Sequence, residues 1–350
     1  MKRYIGIDVH TQSCTLAVMS QTGKRLKAQV VETTGEALLD AIQGIKGELH
    51  VCLEEGTQSA WVYSLLDAHV AEVIVAVPQR KNGPKNDERD AWELAEALRL
   101  GAVKTFVYKA PLHLIALRNA VRAHTMAVSD VTRAKNRLRA VFRSRGVPTD
   151  RSVYNPERRA DWLEQLAGSH RTLAEWLCRK VEVLELQRTE AEEWLLKEAK
   201  THPIVRTLRT APGMGPIRTA QCVAITVTPY RFRTRRQYWS YSGLAVVTRS
   251  SSDWAFRSGA WQRASVPQTC GLNRQRQPLL KAIFKGAAMT VIAQPEHPLC
   301  HDYVRMLDKG IKPNLARLTL ARRIAAIVLS MWKHQEEYDP KKHMSRTPQP

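Results

Sequence analysis

Four acidic positions in this chain have types and spacings suited to phosphodiester chemistry. Asp8 ends the apolar run Ile5-Gly6-Ile7, where a strand interior tolerates no charge. Glu54 and Glu55 end "HVCLEE", and Asp87 and Asp90 open an apolar-periodic segment in "KNDERDA". A spacing of three puts Asp87 and Asp90 on one face of a helix. Taken singly, each has an ordinary role: Asp87 as a helix N-cap, Asp90 as a first-turn acid, Glu54 as a charge at a strand end. As a convergent set they would repel one another severely. Two Mg²⁺ ions about 3.5–4 Å apart would neutralise them and hold the attacking and leaving oxygens of a phosphodiester.

The elements that must bring these residues together are legible in residues 1–110. "RYIGIDV", "CTLAVMS" and "RLKAQVV" read as three strands separated by short polar turns, a meander. "GEALLDAIQGI" reads as a helix, "LHVCLE" as a strand, "SAWVYSLLDAH" as a helix and "AEVIVAV" as a strand ending at Pro78. In "DERDAWELAEALRLGAV", Ala91, Leu94, Ala95 and Leu98 share a helical face, and Gly101 marks its stop. Three antiparallel strands followed by alternating helices and strands is the order of an α/β RNase H-like fold. In such a sheet the first and fourth strands are neighbours and a late helix packs over their ends, so Asp8, Glu54, Asp87 and Asp90 would meet.

Residues 111–201 carry only helical signals. The stretch 114–146 holds eight Lys/Arg and one acid, Asp130, and reads as a basic helix. Beyond it, Leu173, Leu177, Leu184, Ala191 and Leu195 keep a roughly heptad spacing, which suits a helical hairpin or coiled coil and equally an amphipathic helix on its own domain. Residues 202–340 read as a mostly α-helical domain. "APGMGPIRTA" resembles a helix-hairpin-helix turn, whose amides can meet a DNA phosphate, although any Gly-rich helix connection looks alike. Between Arg231 and Lys281 ten Lys/Arg face a single acid, Asp253, with Tyr238, Trp239, Tyr241, Trp254, Phe256 and Trp261 interleaved. Phosphate contacts combined with stacking explain that mixture. A last helix presents Leu320, Ile324, Ile327, Val328 and Met331 as core, and 341–350 reads as a disordered polar tail.

Across 350 residues, 54 Lys+Arg against 33 Asp+Glu leave a charge of +21. Such an excess suits a polyanionic partner, nucleic acid before an acidic membrane surface. The candidate phosphate contacts are Arg133, Lys135, Arg137, Arg139 and Arg143 on the basic helix, and Arg231, Arg233, Arg235, Arg236, Arg249 and Arg257 beyond it. No apolar run approaches the ~20 residues of a membrane helix, and "MKRYIGIDVH" lacks a signal-peptide core. The expectation is a soluble cytoplasmic protein, nucleoid-associated when active. The six cysteines are scattered without a C-x-x-C pair, which reads as reduced, mostly buried thiols.

These motifs together resemble the insertion sequence 110 family of transposases. "GIDVH" with Asp8, "LEEGTQSAW" with Glu54 and "KNDERDA" with Asp87 and Asp90 are similar to its DEDD signature in a RuvC-like domain. "APGMGPIRTA" and "YSGLAVVTRSSSDW" are similar to its C-terminal half, from which a serine nucleophile carries over to Ser251, flanked by Ser250 and Ser252. The proline two residues after Leu244 and the glycine after the serine are absent, and "TCGLNRQRQPLLK" replaces the family's Ser-Lys-x-Gly-Asn block. The resemblance implies a DNA recombinase that moves its own element, uses Mg²⁺ at the four acids, and attacks DNA with the serine. It also implies a structured noncoding bridge RNA as guide. A homo-oligomer, dimer or tetramer, would bring the acids of one subunit to the serine of another. Glu54 fits the family spacing better than Glu55. Beside Ser251, Arg249 and Arg257 are placed to hold a phosphate. Two other readings stay open: a RuvC-like endonuclease in which the metals activate water, and a non-catalytic nucleic-acid-binding protein.

Overall fold

The computed structural model describes residues 1–78, 86–249, 254–263 and 268–344. The chain divides into two compact units, Met1–Leu112 and His113–Pro350.

The first unit is a mixed α/β sheet. Strands β1 (Lys2–Val9), β2 (Ser13–Ser20) and β3 (Arg25–Glu32) form an antiparallel meander. Helix α1 (Gly35–Gln43) leads to β4 (Glu48–Glu54), α2 (Ser59–Leu66) to β5 (Glu72–Ala76), and α3 (Asp87–Arg99) follows. The strand order is β3-β2-β1-β4-β5, with β4 parallel to both β1 and β5. This is consistent with the RNase H-like order read from the sequence.

The two faces of the sheet have different coverings. Ile5, Ile7, Leu16, Val51 and Leu53 pack with Leu38 and Ile42 of α1 and Val62 and Leu66 of α2. On the opposite face α3 lies over Ala17, Met19 and Cys52 through Ala91, Trp92, Ala95, Leu94 and Leu98. Because the central strands are covered on both faces, they read as near-continuous apolar runs; edge strand β3, largely exposed, is mixed with Lys and Gln. Gly101, at φ +64, terminates the α3 segment.

Gly6 sets how closely α3 approaches β1. A Cβ there would sit 1.9 Å from the Ala91 carbonyl oxygen and 2.7 Å from the Ala95 amide nitrogen. Both neighbours are backbone and cannot rotate away. Gly6→Val is expected to lower stability by about 3 kcal/mol, as overpacking against fixed atoms does. A urea midpoint unchanged from wild type would contradict this contact.

The second unit is mostly helical. It comprises α4 (Ile115–Arg143), α5 (Arg159–Glu164), α6 (Gly168–Lys200), α7 (Pro203–Leu208), α8 (Pro216–Thr226) and α9 (Arg235–Tyr241). Four short strands follow, β6 (Val246–Arg249), β7 (Trp254–Arg257), β8 (Ala260–Arg263) and β9 (Gln268–Leu272). The chain continues through α10 (Pro278–Ile292), α11 (Pro298–Asp308), α12 (Pro313–His334) and α13 (Pro340–Met344). The strands pair as β6-β9 and β7-β8, two small sheets beyond the helical reading of this region. The start of the tail read as disordered is helical, in α13; residues 345–350 lie outside the described residues.

Helices α4 and α6 run antiparallel, tied by Lys135 to Glu185 and by Leu138 and Phe142 packed with Leu177 and Cys178. The hairpin is therefore intramolecular, and Leu177, Ala191 and Leu195 are buried, while Leu173 is exposed. In the P-G-x-G turn between α7 and α8, Gly213 has φ +69, and a Cβ there would meet the Ala287 carbonyl oxygen of α10 at 2.3 Å. Glycine at this point permits backbone packing on α10. Leu320, Ile324, Ile327, Val328 and Met331 of α12 are buried, as their spacing anticipates.

Candidate functional site

Alternation along β1 puts Tyr4, Gly6 and Asp8 on the face that α3 covers, and Ile5 and Ile7 on the other. On β4 the α3 face carries His50, whose ring stacks on Tyr4 at 5.4 Å, then Cys52 and, by the same alternation, Glu54. The ladder between these strands runs to Ile7↔Leu53, so Asp8 and Glu54 follow it on adjacent parallel strands. Burial, then the charges of Glu54 and Glu72, push the Cys52 thiol up to about 12, so this thiol stays protonated. Glu55 is engaged elsewhere: its carboxylate accepts hydrogen bonds from Lys109 Nζ and from Ser59 Oγ (2.9 Å).

Helix α3 delivers the aspartates. Its N-cap is Asn86, whose Oδ1 accepts from the Arg89 amide at 2.9 Å, so Asp87 is not the cap. Asp87, Glu88 and Asp90 occupy the first turn, where the helix dipole favours negative charge. Glu88 accepts a hydrogen bond from Trp92 Nε1 at 3.1 Å, which draws it along the helix. Asp87 lies one turn before Ala91, the residue against Gly6, and so reaches the end of β1.

There it meets a residue absent from the sequence-derived set. His10 Nε2 lies 3.1 Å from Asp8 Oδ2 and 3.3 Å from Asp87 Oδ1. One ligand atom from each of Asp8, His10 and Asp87 falls within 4.8 Å of the others. Asp8 is the most shielded of the three, its side chain 17% exposed against 34% for His10 and 49% for Asp87. Glu54 and Asp90 are outside this tight group, Glu54 on the neighbouring strand end and Asp90 one turn further along α3. The signal for His10 was its D-x-H spacing, which repeats the strand period. His10 follows β1 directly, and its backbone is pinned: its amide donates to the Ser13 carbonyl (3.0 Å) and its carbonyl accepts from Thr33 Oγ1 (2.8 Å).

In the second unit, Ser250, Ser251 and Ser252 lie outside the described residues, as do the side chains of Arg249 and Arg257. The other basic positions divide by environment. Lys135 bonds Glu185 and sits 5.0 Å from the Tyr154 ring centroid, and Arg139 donates to Thr149 Oγ1 at 3.2 Å. Arg231 donates to the Thr226 carbonyl at 3.1 Å and lies 5.1 Å from the Tyr241 ring centroid. These three hold the unit together. Arg133 is exposed but pairs with Asp130 at 2.6 Å; Arg137, Arg143, Arg233, Arg235 and Arg236 are exposed, Arg235 over the Trp239 ring at 5.6 Å. Replacing Arg137 and Arg143 together by Ala is expected to weaken DNA binding across sequences and to reduce the log–log salt slope by about one per arginine. Lys135→Ala should instead lower thermal stability. Filter-binding titrations over a salt series, beside thermal melts, check both.

Comparison with known proteins bears on both units. A family model described as Transposase, the DEDD_Tnp_IS110 domain, matches residues 5–145. A second, Transposase IS116/IS110/IS902 family, matches residues 205–304. The chain belongs to the IS110 family of transposases. Among relatives of this family's kind, an insertion element IS116 uncharacterized 44.8 kDa protein of Streptomyces clavuligerus is 28% identical over 148 residues, 42% of this chain and 34% of that protein. The transposase for insertion sequence element IS1533 of Leptospira borgpetersenii is 30% identical over 110 residues, 28% of this chain and 32% of its own length. A putative transposase y4pF/y4sB of Sinorhizobium fredii is 24% identical over 283 residues, 75% of this chain and 66% of that one. The chain thus spans about a third of the length of the first two relatives.

The DEDD domain implies a divalent cation, and among the described residues Asp8, His10 and Asp87 form an acidic cluster at the end of β1 whose atoms could hold one. Adjacent ligands of an octahedral ion bound at about 2.1 Å are roughly 3 Å apart. His10 Nε2 is hydrogen-bonded to Asp8 Oδ2 at 3.1 Å and lies 3.3 Å from Asp87 Oδ1, separations of the same size as that edge. Two carboxylates suit a hard cation, and the imidazole extends the range to softer ions. No described helix is long and apolar enough to cross a membrane.

Proposed function

We propose that the protein is a DNA transposase that cuts and rejoins the ends of a mobile element. The observation that carries this reading is the meeting of Asp8 and Asp87, residues of different elements, at one end of the sheet in a DEDD domain. Asp8, Glu54, Asp87 and Asp90 would hold the cation, Mg²⁺ as a pair of ions, with His10 as an added donor. A bound divalent cation supplies Lewis-acid stabilisation of the charge that develops on phosphate oxygens.

The chain's own residues supply the rest. Asp8 is the least exposed of the three donors; Asn86 caps α3, which carries Asp87 in its first turn. Ser251 is the proposed nucleophile. Its Oγ forms a bond to phosphorus as one bridging P–O bond breaks, the serine proton is lost and the departing strand's oxygen takes up a proton. The resulting phosphoserine link conserves the bond energy, and attack by another strand's hydroxyl reverses the step and joins new partners. Exposed arginines such as Arg137 and Arg143 neutralise the DNA backbone, with Arg249 and Arg257 as further candidates read from the sequence. The family resemblance further points to a structured noncoding RNA as guide, to a homo-oligomer as the acting form and to an RNase H-like (RuvC-like) first unit.

The test is excision in cells, with the gene and its flanking noncoding DNA on one plasmid. A PCR product across joined element ends is expected from the wild type and none from a plasmid lacking the gene. Cleaved but unjoined ends would replace this reading by a RuvC-like endonuclease.

A further inference from the structure

We propose that the β7–β8 hairpin is a stacking platform for unpaired bases of a single DNA strand. The inference rests on the reading that the protein works on DNA; it adds where and how an opened strand is held. The hairpin turns at Ser258 (φ +52) and Gly259 (φ +78), two left-handed residues that give the twist a tight hairpin needs. The pairing Phe256↔Trp261 and the alternation along β7 place Trp254, Phe256 and Trp261 on one face.

That face points outward. Trp254, Phe256 and Trp261 are 60%, 62% and 65% exposed, and on the opposite face Ala255 is half-buried while Ala260 and Gln262 are exposed. A hairpin built for stability turns its aromatic face into the core and its small residues to solvent. Here three large aromatics share an exposed face, an apolar patch of the kind that marks a surface made for a partner. Phe256 and Trp261 are set edge to face, centroids 5.5 Å apart, so the rings hold one another in place.

Charge and spacing select the partner. The segment Arg231–Lys281 holds ten Lys/Arg and one acid, so a polyanion is attracted and a second copy of the same surface is repelled. Side chains at i and i+2 of a strand are about 6.8 Å apart, twice the ~3.4 Å rise of stacked bases, which leaves room for one base between Trp254 and Phe256. Paired bases are closed to such rings by their own stack, and only an opened strand presents its faces. Strand exchange on DNA must open strands, and the hairpin begins three residues after Ser251.

The experiment measures fluorescence anisotropy of labelled oligo(dT) and of a labelled duplex of equal length with the full chain. The variant Trp254→Ala/Phe256→Ala/Trp261→Ala is expected to bind oligo(dT) roughly 10-fold or more weakly, with duplex affinity changed by no more than about twofold. Trp254→Phe/Trp261→Phe should keep most of the oligo(dT) affinity, because stacking needs a ring and not an indole N–H. Unchanged oligo(dT) binding by the alanine variant overturns the proposal, and so does equal loss on both DNAs. It is equally overturned if the substitutions change the oligomeric state in gel filtration, or if they abolish binding to anionic phosphatidylglycerol vesicles while sparing oligo(dT). Excision junctions, scored separately in wild type, test the transposase reading, so either result can fail alone.

Discussion

Asp8→Asn is expected to lower excision by about 10³-fold or more while leaving the fold intact, because a carboxylate worth several kcal/mol of cation-assisted charge stabilisation is lost at about 1.4 kcal/mol per tenfold. Asparagine keeps the shape of this largely covered side chain and removes only its charge. Asp8 stands 3.1 Å from His10, which in turn stands 3.3 Å from Asp87, so its removal leaves the cluster without its most enclosed donor. The same change relieves repulsion between carboxylates, so the melting temperature without added metal should not fall. Adding MgCl₂ or MnCl₂ should raise the melting temperature of the wild type, since a ligand that binds only the folded state stabilises it by mass action. That rise should be absent in Asp8→Asn and Asp87→Asn and smaller in His10→Ala. A rise that persists in Asp8→Asn would move the cation away from the end of β1. Glu55→Gln supplies the contrast: its carboxylate serves Lys109 and Ser59, so excision and the metal-dependent shift should stay near wild type.

Ser251→Ala is the second change with a large expected effect, complete loss of recombinant junctions with DNA affinity unchanged. A hydroxyl that forms the covalent link has no substitute in alanine, whereas the cation site and the basic surface are untouched. Wild type incubated with element-end DNA should yield a protein–DNA adduct that survives denaturation in detergent, and Ser251→Ala should yield none. An adduct that persists in Ser251→Ala but disappears in Ser250→Ala or Ser252→Ala would shift the nucleophile by one residue within the triplet. Junctions formed with no adduct in any of the three variants would remove the serine from the chemistry. Water as the nucleophile would then take its place.

Much of the first unit was readable because its signals are local. Alternation over β1 and β2, the spacing of Ala91, Leu94, Ala95 and Leu98, and the break at Gly101 each depend on a few neighbouring residues, and these four apolar side chains are buried as the spacing implies. The strands of the second unit were not read because they are only four or five residues long. Their aromatics face outward, so the inward-apolar pattern that marks a strand is missing. Even so, the Ser258-Gly259 pair between alternating residues was a hairpin signal.

The candidate site divides in the same way. That Asp8 ends a strand, that Glu54 ends another and that Asp87 and Asp90 open a helix follows from sequence order and periodicity alone. Which charges meet is a matter of distances between elements far apart in the chain, and packing sets those. Gly6 lets α3 descend to β1, which carries Asp87 to His10 and Asp8; Asn86, not Asp87, caps the helix. Lys109 pairs with Glu55, and Glu185 pairs with Lys135. Residue type and spacing establish what chemistry is available along the chain. Only the tertiary contacts decide which groups carry it and which are spent on holding the fold, because a hydrogen bond or ion pair needs its partner within about 3 Å and sequence separation carries no such distance.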